Sequence, residues 1–201
     1  MDVLYERIEE GRIYDDFLDL MQSHAGGKVH AIFPPNADAA DDKGVYPFIP
    51  DMIRTYLGEE PIIENAQTYS LAVEDDYRYV MDHFDELVIK SRAGWGGKDV
   101  LIAPDEAKED IEDFRQQVEK DPVQYIAQTI LDFSTHVFCS AEENEFVLRD
   151  SYADYRMQAL CPDPDTVEVV PGVLTRVAGI GSRLVNISSG GGMKDTWVLA
   201  D

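Results

Sequence analysis

Four short stretches of this chain combine residue types that can do chemistry. "KSRAGWGG" (90–97) ends an apolar run on Lys90 and follows it with Gly94, Gly96 and Gly97. A lysine closing a strand before a glycine-rich turn is one way to lay an ammonium and backbone N–H groups over phosphates. The spacing is that of neither a P-loop nor a dinucleotide fingerprint, and such a hairpin is more often only a turn. "YIAQTI" reads either as a hinge whose Gln128 and Ile130 present backbone groups to a base or as a plain core strand. "DSYADYRMQ" sets Asp154 and Arg156 two residues apart, on one side of a strand. There a carboxylate could hold Mg²⁺ and a guanidinium could grip phosphate, although an exposed salt-bridged face would look the same. "NISSGGGMKDTW" puts Asn186 at a strand end, then Gly190, Gly191 and Gly192, then Lys194 and Asp195. Ordering three glycines costs backbone entropy, and a floppy linker has little reason to run straight into "KDTWVL".

Composition bounds what these stretches can serve. The 201 residues allow one generous domain or two small lobes. With 44% hydrophobic residues, ten Tyr, eight Phe and two Trp, the chain can pack a core. A net charge of −23, from 40 acidic against 17 basic residues, argues against nucleic acid and against anionic membrane surfaces as partners. No apolar run reaches about 18 residues, so no membrane span is expected. The start "MDVLYERIEE" lacks a signal-peptide pattern. Cys139 and Cys161 have no CxxC spacing and read as free thiols, which makes the cytoplasm the expected compartment. His24, His30, His83 and His136 show no zinc-ligand spacing and read as ordinary surface or core residues.

The elements that must position the candidates follow from periodicity. "VLYERI" and "VHAIF" read as strands, "DDFLDLM" as a helical turn and "QSHAGGK" as a loop. From Pro47 to Leu57 apolar residues recur at helical spacing, and Gly58 stands where a helix stops. "YSLAV" (69–73) predicts a strand and "EDDYRYVMDHF" a helix burying Tyr77, Val80, Met81 and Phe84. "LVIKSR" (87–92) and "VLIAP" (100–104) predict strands around a turn. "DEAKEDIEDFRQQVEK" predicts a helix capped by Asp105, with Ile111, Phe114 and Val118 inward. "YIAQTIL" (125–131) returns as a strand, and "HVFCS", "EFVLRDS", "VEVV", "LTRVAG" and "SRLVNIS" predict a strand-rich end.

Taken together, the stretches resemble the circularly permuted ATP-grasp proteins, related to glutathionylspermidine synthase and other ATP-dependent carboxylate–amine ligases. The resemblance runs through "ADDKGVYPFIPDMIRTYLGEEPIIENAQTY", "DELVIKSRAGWGGKDVLIAP", "DPVQYIAQTILDFST", "VVPGVLTRVA" and, most specifically, "LVNISSGGGMKDTWVL". The chain departs from the family pattern at Tyr152, where a His is usual, at Met157-Gln158, where Pro-Phe is usual, and at Asp99, where the turn's last glycine would fall.

The resemblance implies an α+β, ATP-grasp-like fold: two lobes with antiparallel sheets flanked by helices, circularly permuted and incomplete, since family members carry a large N-terminal portion. The expected division is an opening, partly helical segment (1–66), a smaller nucleotide-clamping lobe (67–134) and a strand-rich lobe with a Mg/phosphate loop (135–201). It further implies Mg-ATP clamped between lobes, a carboxylate phosphorylated to an acyl phosphate, and attack on that group by an amine. Lys43, Lys90, Gly94, Gly96, Gly97, Gln128, Ile130, Gly190, Gly191 and Gly192 would then bind nucleotide. Asp154 and Asn186 would hold Mg²⁺, while Arg156, Arg176 and Lys194 would neutralise the transferring charge. The partners implied are small-molecule or peptide carboxylates and amines, together with the N-terminal portion of a longer protein. A non-catalytic nucleotide-binding or interaction domain is the alternative.

Overall fold

The computed structural model describes residues 2–5, 18–32, 42–94, 99–142, 145–163, 165–187 and 190–197. Gly96, Gly97 and the "PPN" breaker therefore lie outside the described residues. The chain divides into two compact units, Met1–Ala93 with Ile102–Thr129 and Gly94–Leu101 with Ile130–Asp201. The architecture is α+β, with antiparallel pairing in both four-stranded sheets.

In the first unit, β1 (Asp2–Tyr5) pairs in parallel with β2 (Val29–Ile32). Between them α1 (Leu18–Ala25) runs further than expected, through "QSHA". It ends in a two-bond C-terminal motif, Gly27 N–H donating to the His24 carbonyl and Lys28 N–H to that of Ser23, each at 2.9 Å. The segment predicted as helical, Pro47 to Leu57, is helical, but the turns begin earlier, at Lys43, and change pitch twice. A 3₁₀ stretch (Lys43–Phe48) leads into one α turn, α2 (Ile49–Met52), and a wider π turn (Ile53–Leu57). Gly58, at φ 68°, stops it.

β3 (Thr68–Ser70) is shorter than "YSLAV" predicts, because Val73 N–H turns back to the Ser70 carbonyl at 2.9 Å. α3 (Glu74–Asp82) follows, then β4 (Val88–Ser91), β5 (Val100–Ile102), α4 (Lys108–Lys120) and β6 (Tyr125–Gln128). The sheet order is β3-β6-β4-β5. Asp105 does not cap α4. Pro104 sits in a 3₁₀ turn over Ala103–Asp105, so the helix starts later, behind Ala107 and without a side-chain cap. The core comes from the predicted faces. Val80, Phe84 and Val118 are fully buried with Ile89, Ile126 and Ala127. Arg115 ties α4 to α3, its guanidinium 4.8 Å from the Phe84 ring centre and its Nη1 donating to the Met81 carbonyl at 2.9 Å.

The second unit is built on β7 (Thr135–Glu142) and β8 (Glu145–Arg156). β9 (Ala159–Asp163), which the sequence did not announce, makes a hairpin with β10 (Thr166–Val169), the strand expected from "VEVV", and precedes β11 (Val173–Val177) and β12 (Gly192–Thr196). The order is β12-β11-β8-β7. "SRLVNIS" forms no strand over 182–187. Its donors are spent locally: Leu184 N–H goes to Ser182 Oγ and Asn186 N–H to the Leu184 carbonyl, each at 3.0 Å.

Candidate functional site

Register decides what surrounds Lys90. Directly paired residues of antiparallel strands share a face, and Thr68 pairs with Gln128, Gln128 with Val88, and Lys90 with Ile126. Thr68, Gln128 and Lys90 therefore form a row across three strands, on the face opposite Tyr69, Ala127 and Ile89. Lys90 Nζ donates a short hydrogen bond to Gln128 Oε1. Gln128 Nε2 donates to Thr68 Oγ1 at 2.8 Å, and Thr68 Oγ1 to the Ala66 carbonyl at 2.8 Å. Gln128 thus contributes its side chain, where sequence reasoning had foreseen only backbone.

Burial, and then the neighbouring Lys43 charge, push the Lys90 ammonium below the ordinary lysine value of 10.5. Its hydrogen-bond partner is a neutral amide, and among the described residues no carboxylate forms an ion pair with it. Lys43 Nζ donates to the Arg92 carbonyl at 3.2 Å. The Arg92 guanidinium forks onto Asp42, with Nε to Oδ1 at 2.9 Å and a shorter Nη2–Oδ2 contact, while Nη1 reaches the Val123 carbonyl at 3.0 Å. Gly44 N–H adds a bond to Asp42 Oδ1 at 2.7 Å. Two cations and one carboxylate are thereby joined next to Lys90, within a chain that is acidic as a whole.

The Arg92 fork holds the Asp42 carboxyl down from 3.8 to about 2. A carboxyl depressed by folding stabilises above its unfolded value and loses that contribution as pH falls through its folded value. Because the pair is about one-third exposed, solvent screening leaves about 1 kcal/mol. Asp42→Asn is therefore expected to be less stable than wild type by about that amount at pH 7, with the gap closing between pH 4 and pH 2. Urea unfolding of both proteins across that range checks it; a gap that stays constant with pH would remove the role assigned to the fork.

In the second unit, Asp154 pairs directly with Arg176, and Arg156 with Leu174. Arg176 forks onto Asp154, Nε to Oδ1 at 2.9 Å with a shorter Nη2–Oδ2 contact, and both are half-buried. Arg156 lies exposed on the same face. Lys194 pairs with Thr175 and so projects from the other face. The structure brings Asp154, Arg156 and Arg176 together but places Lys194 elsewhere. Lys194 Nζ lies 3.4 Å from His136 Nδ1 and donates to the Val137 carbonyl at 3.2 Å, and His136 Nε2 lies 2.6 Å from the Tyr155 hydroxyl. Contacts from β12 to β7 mean that the sheet curls until its outer strands approach. The Lys194–His136–Tyr155 set was missed because only register and curl assemble it; no local spacing marks it.

Gly190 adopts φ 82°, and Gly191 N–H donates to the Asn186 carbonyl at 3.1 Å. Gly94 and Ile130 are half-buried just beyond β4 and β6. Among the described residues no group of three or more His, Cys, Asp or Glu could hold a metal by itself. Mg²⁺ ordinarily takes one or two carboxylates and completes its shell with phosphates and water. Asp154 fits that habit, since a forked carboxylate keeps unused lone pairs. Both cysteines are exposed and free. No helix among the described residues is long and apolar enough to cross a membrane.

Two antiparallel four-stranded sheets with a few helices make an α+β chain consistent with an ATP-grasp-like fold. The chain belongs to the circularly permuted ATP-grasp family, type 2, whose pattern matches residues 2–178. It is 37% identical over 214 residues to an uncharacterised protein of Synechocystis, covering 99% of this chain and 42% of that protein. An uncharacterised Mycobacterium tuberculosis protein is 37% identical over 215 residues, covering 100% and 37%. A Frankia alni protein provisionally named glutamate–cysteine ligase 2-3 is 33% identical over 206 residues, covering 98% and 23%. This chain thus spans about two-fifths of the first two relatives and about a quarter of the third.

Proposed function

We propose that this chain is the ATP-binding part of an ATP- and Mg²⁺-dependent carboxylate–amine ligase acting through an acyl phosphate. The observation that carries this reading is Lys90: a half-buried ammonium on a neutral partner, beside Lys43. Such an arrangement costs folding energy and repays it only when an anion arrives. The Frankia relative's name points to the same reaction class.

When bound, Mg-ATP supplies the phosphoryl group and its ADP leaving group. Lys90 and Lys43 bind the phosphates and neutralise charge that shifts as the carboxylate oxygen takes the γ-phosphoryl group. Gly94, Gly96 and Gly97 are assigned to the phosphates, and the residues from Gln128 to Ile130 to the base. Asp154, with Asn186, would hold Mg²⁺, and Arg176 would orient Asp154 for it. Arg156 and Lys194 steady anionic groups on their respective faces, and the Gly190–Gly192 turn completes the phosphate loop. The amine nitrogen then bonds to the acyl carbon, the carbon–oxygen bond to phosphate breaks, phosphate leaves, and a proton passes to solvent.

Release of ADP from Mg-ATP in pooled amino acids and amines tests the proposal. The expected result is ADP formation that needs both a carboxylate and an amine. Mg-ATP binding without ADP in any mixture would make this a non-catalytic nucleotide-binding domain, and absence of binding would overturn both readings.

A further inference from the structure

A second feature of the first unit is a cleft of about 380 Å³ beside the Lys90 row. Tyr46, Pro47, Pro50 and Pro61 give it stiff apolar walls, and buried Thr68 lines it as well. It is fixed in place without a ligand. Ala66 N–H donates to the Tyr46 hydroxyl at 3.0 Å, and Asn65 Nδ2 to the Tyr46 carbonyl at 3.4 Å. A volume of this size suits a small molecule.

Charge selects which one. The cation on the wall, Arg54, is already engaged by Asp51 at 3.0 Å and Glu60 at 2.9 Å. Glu64, also lining the cleft, makes no hydrogen bond or ion pair among the described residues. A ligand carboxylate would meet an occupied guanidinium and a bare carboxylate; an ammonium on an apolar stem would meet a counter-ion and proline rings. We infer that this cleft binds a small primary amine in its ammonium form, with Glu64 as its counter-ion and the prolines and Tyr46 against its stem.

Thr68 connects the cleft to the phosphate-binding row. Its Oγ1 accepts from Gln128, and Gln128 carries Lys90. An amine held here stands two hydrogen bonds along the row from the ammonium assigned to ATP, the placement that a ligase's acceptor requires. That role rests on the proposed function, whereas amine binding itself does not.

Amide NMR spectra of the 201-residue chain, titrated with n-butylamine hydrochloride or sodium butyrate at pH 7 without ATP, test the inference. Saturable shifts at 65–68 with butylammonium and not with butyrate are expected. Affinity should fall about fivefold or more in Glu64→Gln and be unchanged in Glu86→Gln, an exposed carboxylate elsewhere. Glu64→Lys should abolish binding. Because Glu64 is exposed, these variants keep the wild-type spectrum. Shifts that are equal for butyrate, that spread without saturation over the acidic surface, or that survive Glu64→Gln would overturn the site. With ATP omitted, a failure here leaves the nucleotide reading intact, and a failure to bind ATP leaves the amine result standing.

Discussion

Lys90→Met is expected to weaken Mg-ATP binding at least tenfold, about 1.4 kcal/mol, while the free protein melts no lower than wild type. The two halves have one cause. Burial, and then the Lys43 charge, oppose the charge on Lys90. A lysine whose folded value is lowered binds protons less readily folded than unfolded. Its penalty is therefore complete below the folded value and fades only as pH rises toward 10.5. At pH 7 methionine removes the penalty and keeps an apolar stem of similar length. It leaves Gln128 Oε1 without its donor, but Gln128 Nε2 keeps its bond to Thr68.

Bound phosphate reverses the balance, because the ammonium then gains a charge-assisted partner in a place partly withdrawn from water. Calorimetric titration of Mg-ATP and thermal melts of both proteins measure the two effects. A residue serving only the fold would lose stability on substitution; one serving a ligand loses affinity instead. Equal affinity in the two proteins would remove Lys90 from the phosphate site, and a large drop in melting temperature would make it a packing residue.

Local pattern made some of this legible and not the rest. Val80, Phe84 and Val118 fall at helical spacing, so their burial could be read directly. Lys90 ends an apolar run before glycines, which a linear reading also catches. Its carriers are different. Gln128 and Thr68 lie 38 and 60 residues from their hydrogen-bond partners Lys90 and Gln128, and only strand register brings them together. Arg92 and Asp42 also stand 50 apart, and there the docking of the 3₁₀ stretch that Asp42 caps, not strand register, joins them. Register also splits a motif that looked continuous. Lys194 follows the glycines in sequence, yet strand alternation turns it away from Arg176 and Asp154. "SRLVNIS" has a strand's alternation, but Ser182 offers the backbone a nearer acceptor than any neighbouring strand.

The three glycines carry the second large effect. A methyl group on Gly191 would lie 2.3 Å from the Val177 carbonyl oxygen and 2.6 Å from that of Asn186. Both obstacles are backbone, so neither can rotate aside. Val177 is paired to Gly192 at the start of β12, and Asn186 already accepts the Gly191 N–H. Gly191→Ala must therefore push β12 off β11, or push Gly191 and Asn186 apart. About 3 kcal/mol is the expected loss, the upper part of the range for overpacking, or a melting point lower by roughly 10 °C in a chain of this size. Gly172→Ala is the matched comparison, since a methyl there meets nothing within 4 Å, and it should cost little or stabilise slightly by restricting the unfolded chain. If both variants melt with wild type, the chain crossing at Gly191 is absent. If only Gly191→Ala falls, this glycine is held by contact of chain with chain: an arrangement that closes β12 onto the sheet, and with it places Lys194 against His136.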